Sequence, residues 1–310
     1  MMDKFLNVAL IVAPILFAAG LGILSRKRKM LTVPQVQGLQ QFVIKFGLPC
    51  VLFNSCLTAE VSPESVSTMV MIIPLAFIAA VLAFRLRKKR YPFHNLPLIL
   101  CAKETGMLGI PLFIVLFGAA QSYHMGVLDL AQGAISIPVV TILAAKTDEN
   151  PSPAKIAKAV FTSPMLVFSL LGLVLNLTGI RDILNSVGIG SVITECTGFL
   201  GQPVSAMMLF SVGFNFSLSK KDLKTILNIS ALHFGMHAAF CVIIQLLLCL
   251  LPNADPMSRW AILMYYMLPA SFVSPSVGRT EDDYVISSSV CSLLTIVSLI
   301  VFCIIAVAVA

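Results

Sequence analysis

A chain of 310 residues that is 58% hydrophobic, only 11% charged and has a mean hydropathy of +0.96 carries more apolar surface than a soluble core can bury, so it reads as an integral membrane protein. Its apolar runs are about 20 residues long without strand-like alternation, which excludes an outer-membrane barrel. The net charge of +7 sits mainly in loops and no nucleic-acid motif accompanies it; a P-loop and a GxSxG elbow are also missing, which excludes a nucleotide-driven pump and an intramembrane serine protease.

In chain order, the first apolar run starts at Phe5 and ends at the basic cluster Arg26 to Lys29, the pattern of a retained span and not of a cleaved signal peptide. Ten helical spans follow at about 5–24, 34–57, 66–84, 94–117, 122–145, 156–177, 191–216, 223–251, 257–277 and 285–309. The connections after the odd-numbered spans carry 16 of the 21 Lys and Arg residues, so the positive-inside rule places both termini outside a cell membrane. A hydrophilic connection around Asn150 divides the chain near its midpoint, into 1–150 and 151–310. Five spans per half make the second half an inverted copy of the first.

Corresponding spans share irregularities. Span 4 contains LCAKETGMLGIPL at 100–112, with Lys103 and Glu104 side by side, Gly106, Gly109 and Pro111. Span 9 runs from Trp260 to Gly278 with Pro269 and Pro275 inside it. Spans 2 and 7 match through Pro49 and Pro203. The predicted fold class is therefore an all-α polytopic membrane protein, ten transmembrane helices arranged as two inverted five-helix repeats in which helices 4 and 9 are broken and cross near the midplane.

A fresh helix beginning around Pro111 would turn unpaired amides toward the midplane and attract a carboxylate. Charges at that depth cost roughly 2.5 to 3.5 kcal/mol on insertion scales and call for a partner or a purpose. Glu104 suits a proton switch, or a fixed ion pair with Lys45 or Lys103. Lys103 suits neutralisation of a substrate carboxylate, or snorkelling toward the interface. Lys45 in span 2 and Asp129 in span 5, with Gln132 one turn on, are expected at a similar depth and complete an ion-coupling set of Glu104, Asp129 and Lys45. The substrate-binding set comprises Lys103, Glu104, Thr105, Gly106, Gly109, Pro111, Pro269, Ser271, Ser274, Pro275 and Asn54; Asn54 and Asn215 suit interhelical hydrogen bonds as well. Gly20, Gly22 and Gly172 are read as points of close helix approach.

His233 and His237 share a helical face in HFGMH but lack the glutamate of HExxH and a third ligand, so packing or proton relay is favoured and no metal or other cofactor is expected. The eight cysteines form no CxxC pair and are read as free thiols in apolar runs.

The segments LPCVLFNSCL at 48–57, ETGMLGIPLF at 104–113 and LPASFVSPSV at 268–277, followed by an aspartate-containing loop and a serine-bearing last span, resemble the auxin efflux carrier family over essentially the whole chain. That resemblance implies ten helices, an inverted repeat and a fold similar to bile acid sodium symporters and sodium/proton antiporters. It further implies a scaffold of spans 1, 2, 6 and 7, a mobile core of spans 3–5 and 8–10, and export or exchange of organic anions such as auxin, malate or malonate. Many members carry a neutral asparagine, in an NTG-like sequence, where this chain has Glu104.

The expectation is a non-enzymatic secondary carrier of a small organic anion, a carboxylate, working by alternating access with a proton as coupling ion. Its partners are that anion, a proton or sodium ion, and the lipid bilayer; a homodimer stays open. Alternatives are a sodium-coupled organic acid symporter, a passive channel and a non-transporting receptor.

Overall fold

The computed structural model describes residues 2–58, 63–144, 164–216, 222–249 and 255–309, together with 152, 154, 158, 161 and 162. The expected hydrophilic divide around Asn150 and residues 219–221 of the basic connection 219–224 lie outside the described residues.

The described chain is helical from end to end, and its one strand-like feature is an isolated antiparallel bridge between Lys103 and Ala270. Helix α1 is Met2–Lys27. α2 (Val33–Phe42) passes through a π-helical turn, Val43–Gly47, into α3 (Leu48–Thr58). α4 is Pro63–Lys89. α5 (Leu96–Cys101) ends at three non-helical residues, a π-helical turn covers Thr105–Gly109, and α6 is Ile110–Phe117. α7 is Ser122–Ala144, α8 Pro164–Leu177 and α9 Ile180–Ser186. α10 (Ile189–Gly201) and α11 (Val204–Asn215) meet at Gln202 and Pro203. α12 is Leu223–Cys249, α13 Pro256–Tyr266, and a 3₁₀ turn at Ser274–Val277 precedes α14, Glu281–Val309.

Among the described residues, Val33–Thr58, Val70–Lys89, Ala119–Leu143, Leu223–Cys249 and Glu281–Val309 are long and apolar enough to cross a bilayer. α8 and α9 make a sixth candidate that bends by 79°. The other expected spans fall on α1 and on three interrupted segments. Span 191–216 is two helices that meet at Pro203, the irregularity expected there, whereas the break in span 4 differs in place: it lies at 102–104, ahead of the π-helical turn, and Pro111 sits within the first turn of α6. The outer surface is apolar, with Phe17 69%, Phe77 57% and Ile304 63% exposed, as lipid contact requires.

Two helix pairs are in backbone contact. α1 packs on α11 where a Cβ at Gly22 would overlap the Phe210 carbonyl oxygen and one at Gly213 would overlap that of Ala19; α3 packs on α8 where one at Gly172 would overlap the Phe53 carbonyl oxygen. Small residues permit this approach, which gives apolar helices dispersion contact that lipid tails cannot match. Gly20, expected to act likewise, faces open space.

The last helix is tied to the middle of the chain by Asp283. Its carboxylate accepts the amides of Thr280 and Arg279, each at 3.0 Å, closing a capping box with the Thr280 hydroxyl, and it also accepts the His94 amide at 2.8 Å. Asn95 returns the contact by donating to the carbonyls of Asp283 and Ser274.

Candidate functional site

The two interrupted segments meet at residues 102–104 and 269–271. Glu104 donates its amide to the Pro269 carbonyl at 2.9 Å, and Ser271 donates its amide to the Ala102 carbonyl at 3.0 Å. These two antiparallel bonds satisfy backbone groups that each break releases from its helix, which is obligatory at membrane depth. Other carbonyls at these ends face α12: His233 places its ring nitrogens 2.8 Å from the Ile99 carbonyl and 3.3 Å from that of Leu268, of which a neutral ring donates to one, and His237 lies 3.0 Å from that of Leu100. Ser298 of α14 donates to the Met267 carbonyl. The histidine pair thus faces the ends of α5 and α13, while His237 Nδ1 has no partner among the described residues.

Because Ala102 is extended (φ −112°, ψ 137°) and Lys103 forms the bridge, successive side chains leave on opposite faces. Lys103 and Glu104 therefore diverge, and among the described residues neither Lys103 nor Lys45 pairs with Glu104. The buried Lys103 ammonium lies 4.4 Å and 4.7 Å from the ring centroids of Tyr265 and Tyr266, a cation held against two aromatic faces and not a snorkelling one. Its backbone is clamped by Gln132, whose Oε1 accepts the Lys103 amide while Nε2 donates to the Lys103 carbonyl, both at 2.9 Å. Gln132 Nε2 is also 2.9 Å from the Thr105 hydroxyl and 3.3 Å from Asp129, and Tyr265 donates its hydroxyl to Gln132 Oε1 at 3.2 Å.

The buried Glu104 carboxylate collects the amides that point into the crossing. Met107, in the π-helical turn, donates to it at 3.2 Å, Phe272 donates from the other break, and the Ser271 hydroxyl stands at 3.5 Å. One side chain therefore caps the outgoing half of both segments, where converging amides favour negative charge. Asp129 lies near enough to act electrostatically on this carboxylate. Gly109 matters through its missing Cβ, which would stand 2.6 Å from Leu268 Cδ1 and 2.9 Å from Met125 Cε. Gly106 has more room, with Leu48 3.5 Å from its would-be Cβ.

The structure thus gathers Glu104, Thr105, Gly106, Gly109, Pro269, Ser271 and Asp129 around one crossing, with Pro111 and Lys103 adjoining it on either side. It leaves others out. Lys45 is exposed beside Phe46 on the outer face of the π turn in span 2, away from the crossing. Asn54 binds α10, accepting from the Thr197 hydroxyl at 2.6 Å. Ser274 is buried and gives its carbonyl to Asn95. Pro275 and Phe272 face a separate cavity.

That cavity, about 210 Å³, lies between α1, α2 and α11 on one side and α14 with the second break on the other. A second, about 350 Å³, is lined by Asn54, Thr58, Thr194, Thr197 and Gln202 at the opposite ends of the same spans. The crossing separates them. Sequence reading missed Tyr265, Tyr266 and the walls of the first cavity; the signal was present in α14, where Tyr284, Ser288, Ser292 and Thr295 recur at helical spacing within an apolar span.

Gln132→Leu is expected to lower stability by about 2 to 5 kcal/mol, because it orphans the Lys103 amide and carbonyl together. Thermal unfolding in detergent reads this out, and a melting temperature equal to wild type would remove Gln132 as the clamp.

Two broken helical segments crossed through backbone bonds, with a cavity on either side, in an apolar-surfaced molecule suit a membrane transport protein. The family model described as membrane transport protein matches residues 8–309, and the chain belongs to that family, the auxin efflux carriers. No curated protein matches it.

Proposed function

We propose that this chain is a secondary carrier that moves a small organic anion, a carboxylate, across a cell membrane by alternating access, and that proton binding at Glu104 couples the transport. Ten spans form two inverted repeats, 1–150 and 151–310, with both termini extracytoplasmic. Support for the repeat comes from paired irregularities: the breaks at 102–104 and 269–271, the π turn before Pro49 against the break at Pro203, and the α1–α11 contact against α3–α8. The last two pairs belong to spans 1, 2, 6 and 7, which suits them as a scaffold around which the remaining six spans shift.

The observation that carries the reading is the Glu104 carboxylate on the amides of Met107 and Phe272. The amide of the π-helical turn that leads into α6 and an amide of the second break converge on one point that suits an anion, and here a resident carboxylate fills it. A substrate carboxylate reaches those amides when Glu104 takes up a proton and lets go. Asp129 of α7 joins the same polar cluster through Gln132, which also binds Thr105 next to Glu104. Substrate and proton then bind together and travel in the same direction, without a net charge for a monoanion.

Proteoliposomes loaded with labelled malate, malonate, indole acetate or amino acids, with proton and sodium gradients imposed separately, test this. Accumulation is expected for a carboxylate and to follow acidification of the side from which it is taken up. Passive flux without counterflow stimulation would establish a channel instead, sodium-dependent uptake the symporter, and no gradient-driven accumulation of any candidate would end the carrier reading.

A further inference from the structure

Arg26 stands at the mouth of the 210 Å³ cavity, at the end of α1. Its Nη1 donates to the carbonyls of Phe214 at 3.2 Å and Phe216 at 3.1 Å, where α11 ends. Those bonds fix the plane of the guanidinium, and the glycine-mediated contact of α1 with α11 fixes its base. Among the described residues Nε and Nη2 have no partner, which leaves free the edge that grips a carboxylate through two parallel hydrogen bonds.

The rest of the cavity suits the same occupant. Among the described residues Arg26 is its one charged lining residue, and no carboxylate there offsets it. Gln37 and Gln40 of α2, Asn215 of α11 and the hydroxyls of Ser288, Ser292 and Thr295 supply neutral polar groups around the arginine. The volume is below that of drug-sized sites and fits a small metabolite. At the far wall lies Phe272, the residue whose amide holds Glu104.

We infer that Arg26 is a specificity-determining residue, docking one carboxylate of a small organic acid in this cavity before the acid reaches the crossing. The inference rests on the carrier reading only for what happens next, since docking itself needs no transport. Among the described residues the opposite cavity has no charged lining residue.

Titration of the purified full-length protein with malonate, and with malonamide as its uncharged counterpart, tests this. Arg26→Gln is expected to weaken malonate by about tenfold or more and to leave malonamide unchanged, with Arg26→Lys intermediate. Arg26 also caps α11, so Gln40→Glu serves as a second variant: it leaves the cap alone, places a carboxylate in the cavity and is expected to weaken malonate similarly. Equal malonate affinity in wild type, R26Q and Q40E, an equal loss for malonamide, or a wild type that binds no malonate would overturn the inference. Arginine-dependent binding without counterflow would keep it and count against the carrier; counterflow indifferent to both variants would do the reverse.

Discussion

Glu104→Ala is expected to abolish transport and to lower stability by about 3 to 6 kcal/mol. The carboxylate accepts from Met107 and Phe272, one amide from each broken segment, and truncation leaves both without that partner. Each orphaned buried donor costs about 1 to 3 kcal/mol, and the bonds lost are of the stronger charge-assisted kind. Glu104→Gln separates structure from coupling. Its amide oxygen still accepts one of the two bonds, so the protein folds with a smaller loss, but it has no proton to exchange. Transport by that variant is expected to lose its dependence on acidification. Unfolding in detergent and pH-stepped counterflow measure the two effects; an alanine variant as stable as wild type would refute the shared cap, and a glutamine variant with unchanged pH dependence would refute the proton role.

The second large effect is expected at a site with no chemistry. Gly213→Val or Gly22→Val should each destabilise the protein by about 3 kcal/mol or more, since the new side chain meets backbone of the facing helix and neither α1 nor α11 can yield without parting. Gly20→Ala is the internal control. It faces open space, and alanine is the better helix former by about 1 kcal/mol, so that variant should be neutral or slightly stabilised. Folded yield and melting temperature report both, and a tolerated valine at Gly213 would mean that α1 and α11 are not in backbone contact.

Much of the crossing was legible because its cause is local. Prolines, paired charges and glycines inside apolar runs have few explanations at membrane depth, and they marked both broken segments. The direction of the side chains was not legible. Lys103 and Glu104 look like neighbours in a helix, yet an extended Ala102 and the bridge at Lys103 send them to opposite faces, one to Tyr265 and Tyr266, the other to the amides of Met107 and Phe272. The start of the second half-helix was read one turn late, since a proline announces itself in sequence whereas a capping glutamate does not. Lys45 was placed by depth alone, and depth does not fix which face of a helix a residue occupies. Arg26 looked like one more positive charge in a topology-setting cluster; only the ends of α11 and α14 reveal the cavity it borders.

The Asp283 knot has a mechanical meaning. One carboxylate holds the chain just ahead of α5 and the first turn of α14, while Asn95 reaches back to Ser274 in the second broken segment. Both interrupted segments and the polar wall of the 210 Å³ cavity are therefore fastened to a common pin outside the crossing. Sliding α14 past either break would cost these bonds, so the last helix and the two breaks are linked as one unit.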